Sequence, residues 1–385
     1  MNDKSKVQIS AITEVTAVGQ KCIGAVLAYE NEIDATSLNI DTYEVSDRRI
    51  VSIDVTGNKV TLHLSEDDEA AEVFHCGNPW QKKDAYLSDV LLEVKQVKEV
   101  RTVDGQLIPP MKDFVICEKV VDEVADQFIQ GTFGKQKYNL FIPRDYDPSK
   151  KYPLIQFIHD AAVCGKDTRL AITQGLGSII WVTADWQKTH PCFVFAPQFN
   201  GPPIVDDDWN VDKRLEDAKS ALDYVIETYS IDTDRIYTTG QSMGCMSSIV
   251  LNVRYPNFFA GSILVAGQWD ERKIPGLEKQ NLWMICSQGD AKAFPIMNQM
   301  CVAMEQAGAK VARKVVDNNL SQDEYKKIFD ELLKEEPNII FTPYRLETVA
   351  DGWHSNGGEH HINTWRTAYN IDYIREWLFN QKRKG

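Results

Sequence analysis

The chain has 385 residues, 43% of them hydrophobic and 25% charged, with a formal net charge of −14. That length supports about two domains with a sizeable core, and the acidic balance argues against nucleic acid or an anionic membrane as partner, because no basic patch is present to neutralise phosphates. Eight scattered cysteines without a C-x-x-C pair read as buried free thiols suited to a reducing compartment, and the nine tryptophans point to a site with aromatic walls. The first residues lead into no apolar targeting segment and no run reaches membrane-spanning length, so a cytoplasmic location is expected, or secretion if a leader was removed.

From Val7 to about Cys117 short alternating runs are broken by turn residues: Lys21 to Tyr29, Arg49 to Val55, Lys59 to Leu64 and Val90 to Val94. Thr56-Gly57-Asn58 links two of them as a tight hairpin signal. Several strands with almost no helical period predict an Ig-like β-sandwich over residues 1–118, without the Cys…Trp…Cys spacing of antibody domains. Residues 119–127 turn acidic and polar and read as a linker.

Over residues 128–385 strands alternate with helices. Tyr138 to Ile142, Leu154 to His159, Phe193 to Pro197, Ser262 to Ala266, Leu282 to Cys286 and Ile339 to Phe341 read as strands. The positions Val211, Leu215, Ala218, Leu222, Val225, Ile226 and Tyr229 recur at helical steps, and further helices are expected from about Pro295 to Gly308 and Thr364 to Phe379. This alternation predicts a largely parallel sheet covered on both faces, with chemistry at the carboxyl ends of its strands. The charged stretch 317–336 is a lid or a solvated surface helix, the second being commoner.

Within that domain Ile236 to Thr239 reads as a strand, Gly240-Gln241-Ser242-Met243-Gly244 as a sharp turn, and Met246 to Val253 as a helix ended before Pro256. A serine between glycines is often only a turn. The strand before it and the helix after it are what the G-x-S-x-G nucleophile elbow requires, with Ser242 at the tip and the Met243 N–H aimed at a forming oxyanion.

Serine needs a base, and the base an orienting acid. Asp290 stands just past the strand Leu282 to Cys286, at the same sheet edge as the elbow, and is read as the acid rather than as a turn or cap residue. Past the last strand lie His354, His360 and His361. We choose His361 as base, in a loop directly before the final helix, with His360 next and His354 third. Their spacing matches no zinc pattern, so no metal and no cofactor is expected. A second oxyanion N–H is expected from Asp160 or Ala161, after the strand ending at His159, itself read as structural. Gln241, Trp269 and Asp270 are read as pocket residues, though Trp269 could equally be packing.

Ile236 to Gly244, Phe157 to Ala161, Gln174 to Gly177, His190 to Val194, Gln268 to Asp270, Gly289 to Ala293 and His361 to Arg366 together resemble bacterial α/β-hydrolase esterases with an N-terminal immunoglobulin-like domain. These are often labelled peptidases and are similar to feruloyl esterases and polyhydroxybutyrate depolymerases. The resemblance runs from about Phe128 onward, less securely over the sandwich. It implies the α/β-hydrolase fold, the triad Ser242, Asp290 and His361, short-chain or aryl esters as substrates, and an N-terminal domain that helps oligomerise the protein or shape access. The family's loop more often opens His-Gly where this chain has His159-Asp160. The expected function is thus serine carboxylic ester hydrolysis on a small-molecule ester. A serine peptidase on the same fold and a non-catalytic carbohydrate- or partner-binding protein are the alternatives.

Overall fold

A computed structural model of the chain describes residues 7–350 and 357–383. It divides into two compact units: one takes in the residues up to His75 and Leu87–Gln127, the other Cys76–Tyr86 and Phe128 onward.

The first unit is a β-sandwich. Its larger sheet runs in the order Lys119–Val121, Gln8–Thr16, Gly19–Ala28, Lys59–Leu64, Ile50–Thr56, and a second sheet holds Val115–Ile116, Glu93–Gln96 and Tyr43–Val45. Alternation drives the packing: Ile9, Ala11, Leu27, Val60, Leu62 and Val94 all point into one core. Thr56 pairs with Lys59 across the Gly57-Asn58 turn, with Gly57 at φ 58°, the left-handed conformation that such a hairpin demands. The last expected strand is displaced, since Glu93–Gln96 pairs and Val90 to Leu92 do not.

Two readings of domain limits change. Lys119–Val121 is no linker but a strand paired in parallel with the first one, Ser10 opposite Lys119. Asp122, polar yet buried, accepts hydrogen bonds from Gln20 Nε2 (2.7 Å) and the Ala125 N–H (2.8 Å). Polar composition had masked a satisfied interior carboxylate. The sandwich is also not continuous in sequence, because Cys76–Tyr86 leaves it for the second unit.

The second unit is built on nine strands: β1 (Ile129–Phe133), β2 (Gln136–Phe141), β3 (Tyr152–Ile158), β4 (Phe193–Gln198), β5 (Ile231–Gln241), β6 (Gly261–Val265), β7 (Leu282–Ile285), β8 (Val311–Arg313) and β9 (Ile339–Phe341). Their order is β1-β2-β4-β3-β5-β6-β7-β9-β8, with β1 and β2 antiparallel to their neighbours and the rest parallel. The edge strands β1 and β8 were not expected: neither contains a fully buried residue, so both lack the apolar run that marks the buried ones.

The longer helices are α1 (Arg214–Thr228), α2 (Met243–Arg254), α3 (Ala293–Gln306), α4 (Gln322–Leu332), α5 (Gly357–Ala368) and α6 (Asp372–Phe379). α2 packs on β3, β5 and β6. The single last helix expected from the periodicity is two, separated where Ile371 is extended. α4, inside the charged stretch, starts at a Ser321/Glu324 capping box and buries Tyr325 and Phe329, the latter 4.9 Å edge-on to Trp283 of β7. It is an amphipathic surface helix, as the commoner reading has it: the Tyr325 and Phe329 rings face inward, while Gln322, Asp323, Lys326, Lys327, Asp330 and Glu331 are exposed.

Candidate active site

β5 delivers the elbow. Ser242 sits at φ 52°, ψ −118°, a left-handed strain of about 1–3 kcal/mol for a non-glycine residue. The surrounding backbone leaves no alternative: a Cβ on Gly244 would lie 1.8 Å from the Ile158 carbonyl oxygen, and one on Gly240 2.6 Å from the Gly244 carbonyl carbon. The Ser242 N–H donates to the Val265 carbonyl at 3.0 Å, clamping the turn to β6. Met243 is the first residue of α2, so its N–H has no carbonyl a turn earlier to meet and points along the positive end of the helix dipole.

Asp290 follows β7, buried, with Oδ1 accepting from the N–H groups of Lys292 (3.1 Å) and Ala293 (2.9 Å). Its Oδ2 lies 2.5 Å from His361 Nδ1, and His361 Nε2 lies 2.9 Å from Ser242 Oγ. Burial pushes the Asp290 carboxyl up, but the hydrogen bond and charge of His361 and the two backbone amides together outweigh it and hold the group below the usual carboxylate range. With Nδ1–H donated to the carboxylate, Nε2 is the ring's acceptor and receives the serine hydroxyl. The imidazole is held edge-on by Trp365, 5.0 Å between centroids. Such an arrangement can pass the hydroxyl proton to the ring while the carboxylate stabilises the resulting cation.

His361 lies within α5 rather than in a loop before it. The glycines Gly357 and Gly358 open this helix, and their poor helix propensity had hidden its first turn. His360, the next candidate, faces away: it is buried, its Nδ1 2.9 Å from Ser287 Oγ, with its ring filling the space over Gly289. His354 lies outside the described residues.

In the loop after β3, His159 is buried, accepts the Phe199 N–H at Nε2 (3.1 Å) and so donates from Nδ1 to the Asp160 carbonyl (2.8 Å). Burial lowers its pKa to about 4, a neutral structural histidine. Asp160 caps the next turn through the Ala162 N–H (2.9 Å) and is itself buried, which raises its carboxyl despite the donors around it. Ala161 lines the cavity in front of Ser242, and Asp160 does not.

That cavity has a volume of about 400 Å³ and is open to Ser242, Met243, Asp290 and His361. Pro203, Val205 and Met246 give it an apolar side; Asp207, Gln268 and Lys292 form a polar rim, with Gln268 Nε2 donating to Asp207 (3.0 Å) and Lys292 paired to the same carboxylate. The three residues read as pocket lining do not line it. Gln241 is buried behind the elbow, bonded to Asp160 and Gln174. Trp269 packs edge-on to Trp209 in the core, and Asp270 caps a turn and pairs with Arg272. The cause is local: Ala266 adopts φ 47°, turning the chain after β6 so that Gln268 faces the cavity instead. Met246 was open to prediction, one helical turn beyond Met243; Trp80, also in the lining, was not. Residues 317–336 contribute nothing to the lining. Among the described residues no cluster of His, Cys, Asp and Glu is arranged to hold a metal ion, and no helix is long and apolar enough to cross a membrane. Seven of the eight cysteines are buried, Cys76 being the exposed one.

Residues 8–109 match the esterase Ig-like N-terminal domain. The match covers the sandwich short of its last strands, Val115–Ile116 and Lys119–Val121, and includes the Cys76–Tyr86 segment that the second unit takes over. Acetylxylan esterase A of Emericella nidulans is 44% identical over 75 residues, a stretch that spans 19% of this chain and only 25% of that relative. A crystal structure of a thermostable esterase superposes with a TM-score of 0.83 at 24% identity, covering 98% of this chain and all of that one. A feruloyl esterase module from Clostridium thermocellum gives 0.45 at 15% identity, over 67% and 89% of the two chains. The chain therefore has the fold of an esterase that carries an N-terminal Ig-like domain.

Proposed function

We propose that the protein is a serine carboxylic ester hydrolase acting on short-chain or aryl esters. The observation that carries this reading is the unbroken chain from Ser242 Oγ through His361 to Asp290, at 2.9 and 2.5 Å, opening on a cavity of about 400 Å³. The likeness to esterases in both fold and Ig-like domain supports it.

In this mechanism Ser242 Oγ attacks the ester carbonyl carbon as its proton passes to His361 Nε2. The carbonyl π pair moves onto oxygen, where the N–H groups of Met243 and Ala161 receive it. Collapse breaks the bond to the alkoxy oxygen, which takes the proton from His361 and leaves as the alcohol. Water then repeats the sequence on the acyl-enzyme, releasing the acid and restoring Ser242. Asp290 keeps its negative charge throughout and holds the imidazole in the required tautomer. The base contributes about 10²–10⁴-fold and each oxyanion donor about 10²–10³-fold.

Hydrolysis of p-nitrophenyl acetate, butyrate and octanoate, with methyl ferulate alongside, by wild type and Ser242→Ala tests the reading. Turnover that the substitution removes is expected, together with fluorophosphonate labelling of wild type alone. Equal turnover in both proteins, or none in either, would overturn it.

A further inference from the structure

Trp80 comes from a part of the chain that otherwise builds the sandwich, yet its segment, Cys76–Tyr86, belongs to the same unit as Ser242. The segment is tied down rather than loose. Asn78 and Lys83 exchange both backbone hydrogen bonds (2.7 and 2.9 Å), and Asn78 Oδ1 accepts the Gln81 N–H (3.1 Å). Gly77 donates to the Ala162 carbonyl (2.7 Å) and Ala85 to that of Cys164 (3.3 Å), so both ends hang on the loop that carries Ala161. A Cβ on Gly77 would lie 2.6 Å from the Lys83 carbonyl oxygen, which is why the segment can close so tightly. The product of this anchoring is an indole that is 85% exposed on the wall of the Ser242 cavity.

An indole left in solvent on a tightly anchored stretch of backbone forgoes the burial that normally stabilises it. That sacrifice makes sense where a ligand completes the contact, and among the described residues the rest of the cavity's apolar side, Pro203, Val205 and Met246, offers no other aromatic face. We infer that Trp80 is a specificity-determining platform that stacks on an aromatic ring of the ester and thereby favours aryl over alkyl substrates. The inference rests on the serine-esterase reading for its reaction, but not for its ring recognition.

Two substrate pairs separate the ring's position: phenyl acetate against ethyl acetate, and methyl benzoate against methyl butyrate. Trp80→Ala should lose about 3–10-fold more kcat/KM on the ring-bearing member of at least one pair, mostly through KM, as expected for one aromatic contact. Trp80→Phe, which keeps a stacking face, should recover most of that difference. Binding supplies a readout independent of chemistry: in a Ser242→Ala background, adding Trp80→Ala should weaken benzylacetone more than methyl butyl ketone. Equal losses on aryl and alkyl members of both pairs, with equal weakening of the two ketones, would overturn the platform while leaving the esterase reading intact. Ring-selective binding without turnover in wild type would support the platform and overturn the esterase reading instead.

Discussion

Gln241 Nε2 donates to Asp160 Oδ2 at 3.1 Å, tying the residue before the elbow serine to the loop that carries the second candidate oxyanion N–H. Both side chains are buried. The same Nε2 reaches Gln174 Oε1 at 3.1 Å, and Asp160 Oδ1 accepts the Ala162 N–H, so elbow and loop share one polar network. Where a glycine would leave the loop free to shift, Asp160 pins it. Gln241→Leu strips a donor from a buried carboxyl and should cost about 1–3 kcal/mol of stability, read as a lower denaturation midpoint at unchanged m-value. Because the loop also loses its tie, kcat should fall more than KM rises. A stable variant with wild-type kcat would show that the network does not position the loop.

Gly244→Ala tests the elbow's sterics. The new methyl would meet the Ile158 carbonyl oxygen at 1.8 Å, a backbone atom in the middle of the sheet that no rotamer change can move. A destabilisation above about 4 kcal/mol, or failure to fold, is expected. Gly276→Ala is the contrast: that glycine has open space around it and suffers only from its φ of 91°, so about 1 kcal/mol should be lost there. Chemical denaturation of the two variants side by side checks the difference.

What could be read from sequence follows from how local each cause is. The elbow was legible because strand, glycine-flanked serine and helix follow one another in a single run of sequence, although the atom that excludes a Cβ at Gly244 belongs to Ile158 on the neighbouring strand, and Asp290 because a carboxylate just past a buried strand must lie at that strand's carboxyl end. Chain order left three histidines, and His361 was chosen for its place directly before the expected last helix and by the family resemblance; that the helix contains it was not legible, since Gly357 and Gly358 contradict helix propensity and tertiary packing overrides them. The pocket lining was least legible. Whether Gln268 or Trp269 faces the cavity turns on the left-handed Ala266, and no periodicity reports that. Trp80 lies more than 150 residues before the elbow, and only the folded chain brings the two to one cavity.

The two adjacent histidines of α5 give a paired experiment. His361→Ala removes the ring between Ser242 and Asp290, and kcat/KM should fall by about 10²–10⁴-fold with folding intact. His360→Ala instead empties a buried space over Gly289 and takes away the partner of Ser287 Oγ, so it should act on stability, by about 2–4 kcal/mol. Fluorophosphonate labelling of Ser242 should persist in folded His360→Ala and be strongly slowed in His361→Ala. The opposite pattern would exchange the two roles.

The depressed carboxyl of Asp290 makes a statement about stability against pH. Its pKa in the folded protein lies below the value in the unfolded chain, so the folded state binds the proton less readily. The stabilisation is fully present above the unfolded value of about 3.9 and is lost as pH falls through the folded value. Asp290→Asn has no such proton to bind. Wild type should therefore lose stability relative to Asp290→Asn as pH is lowered from about 5 into the acid range, with the two difference curves parallel above it. The variant will itself be weaker at neutral pH, since an amide cannot accept from Ala293 and Lys292 as a carboxylate does and offers no charge to His361. Denaturation midpoints of both proteins across this range measure the slope directly. A gap independent of pH would mean that the His361 contact does not hold this carboxyl in its charged form.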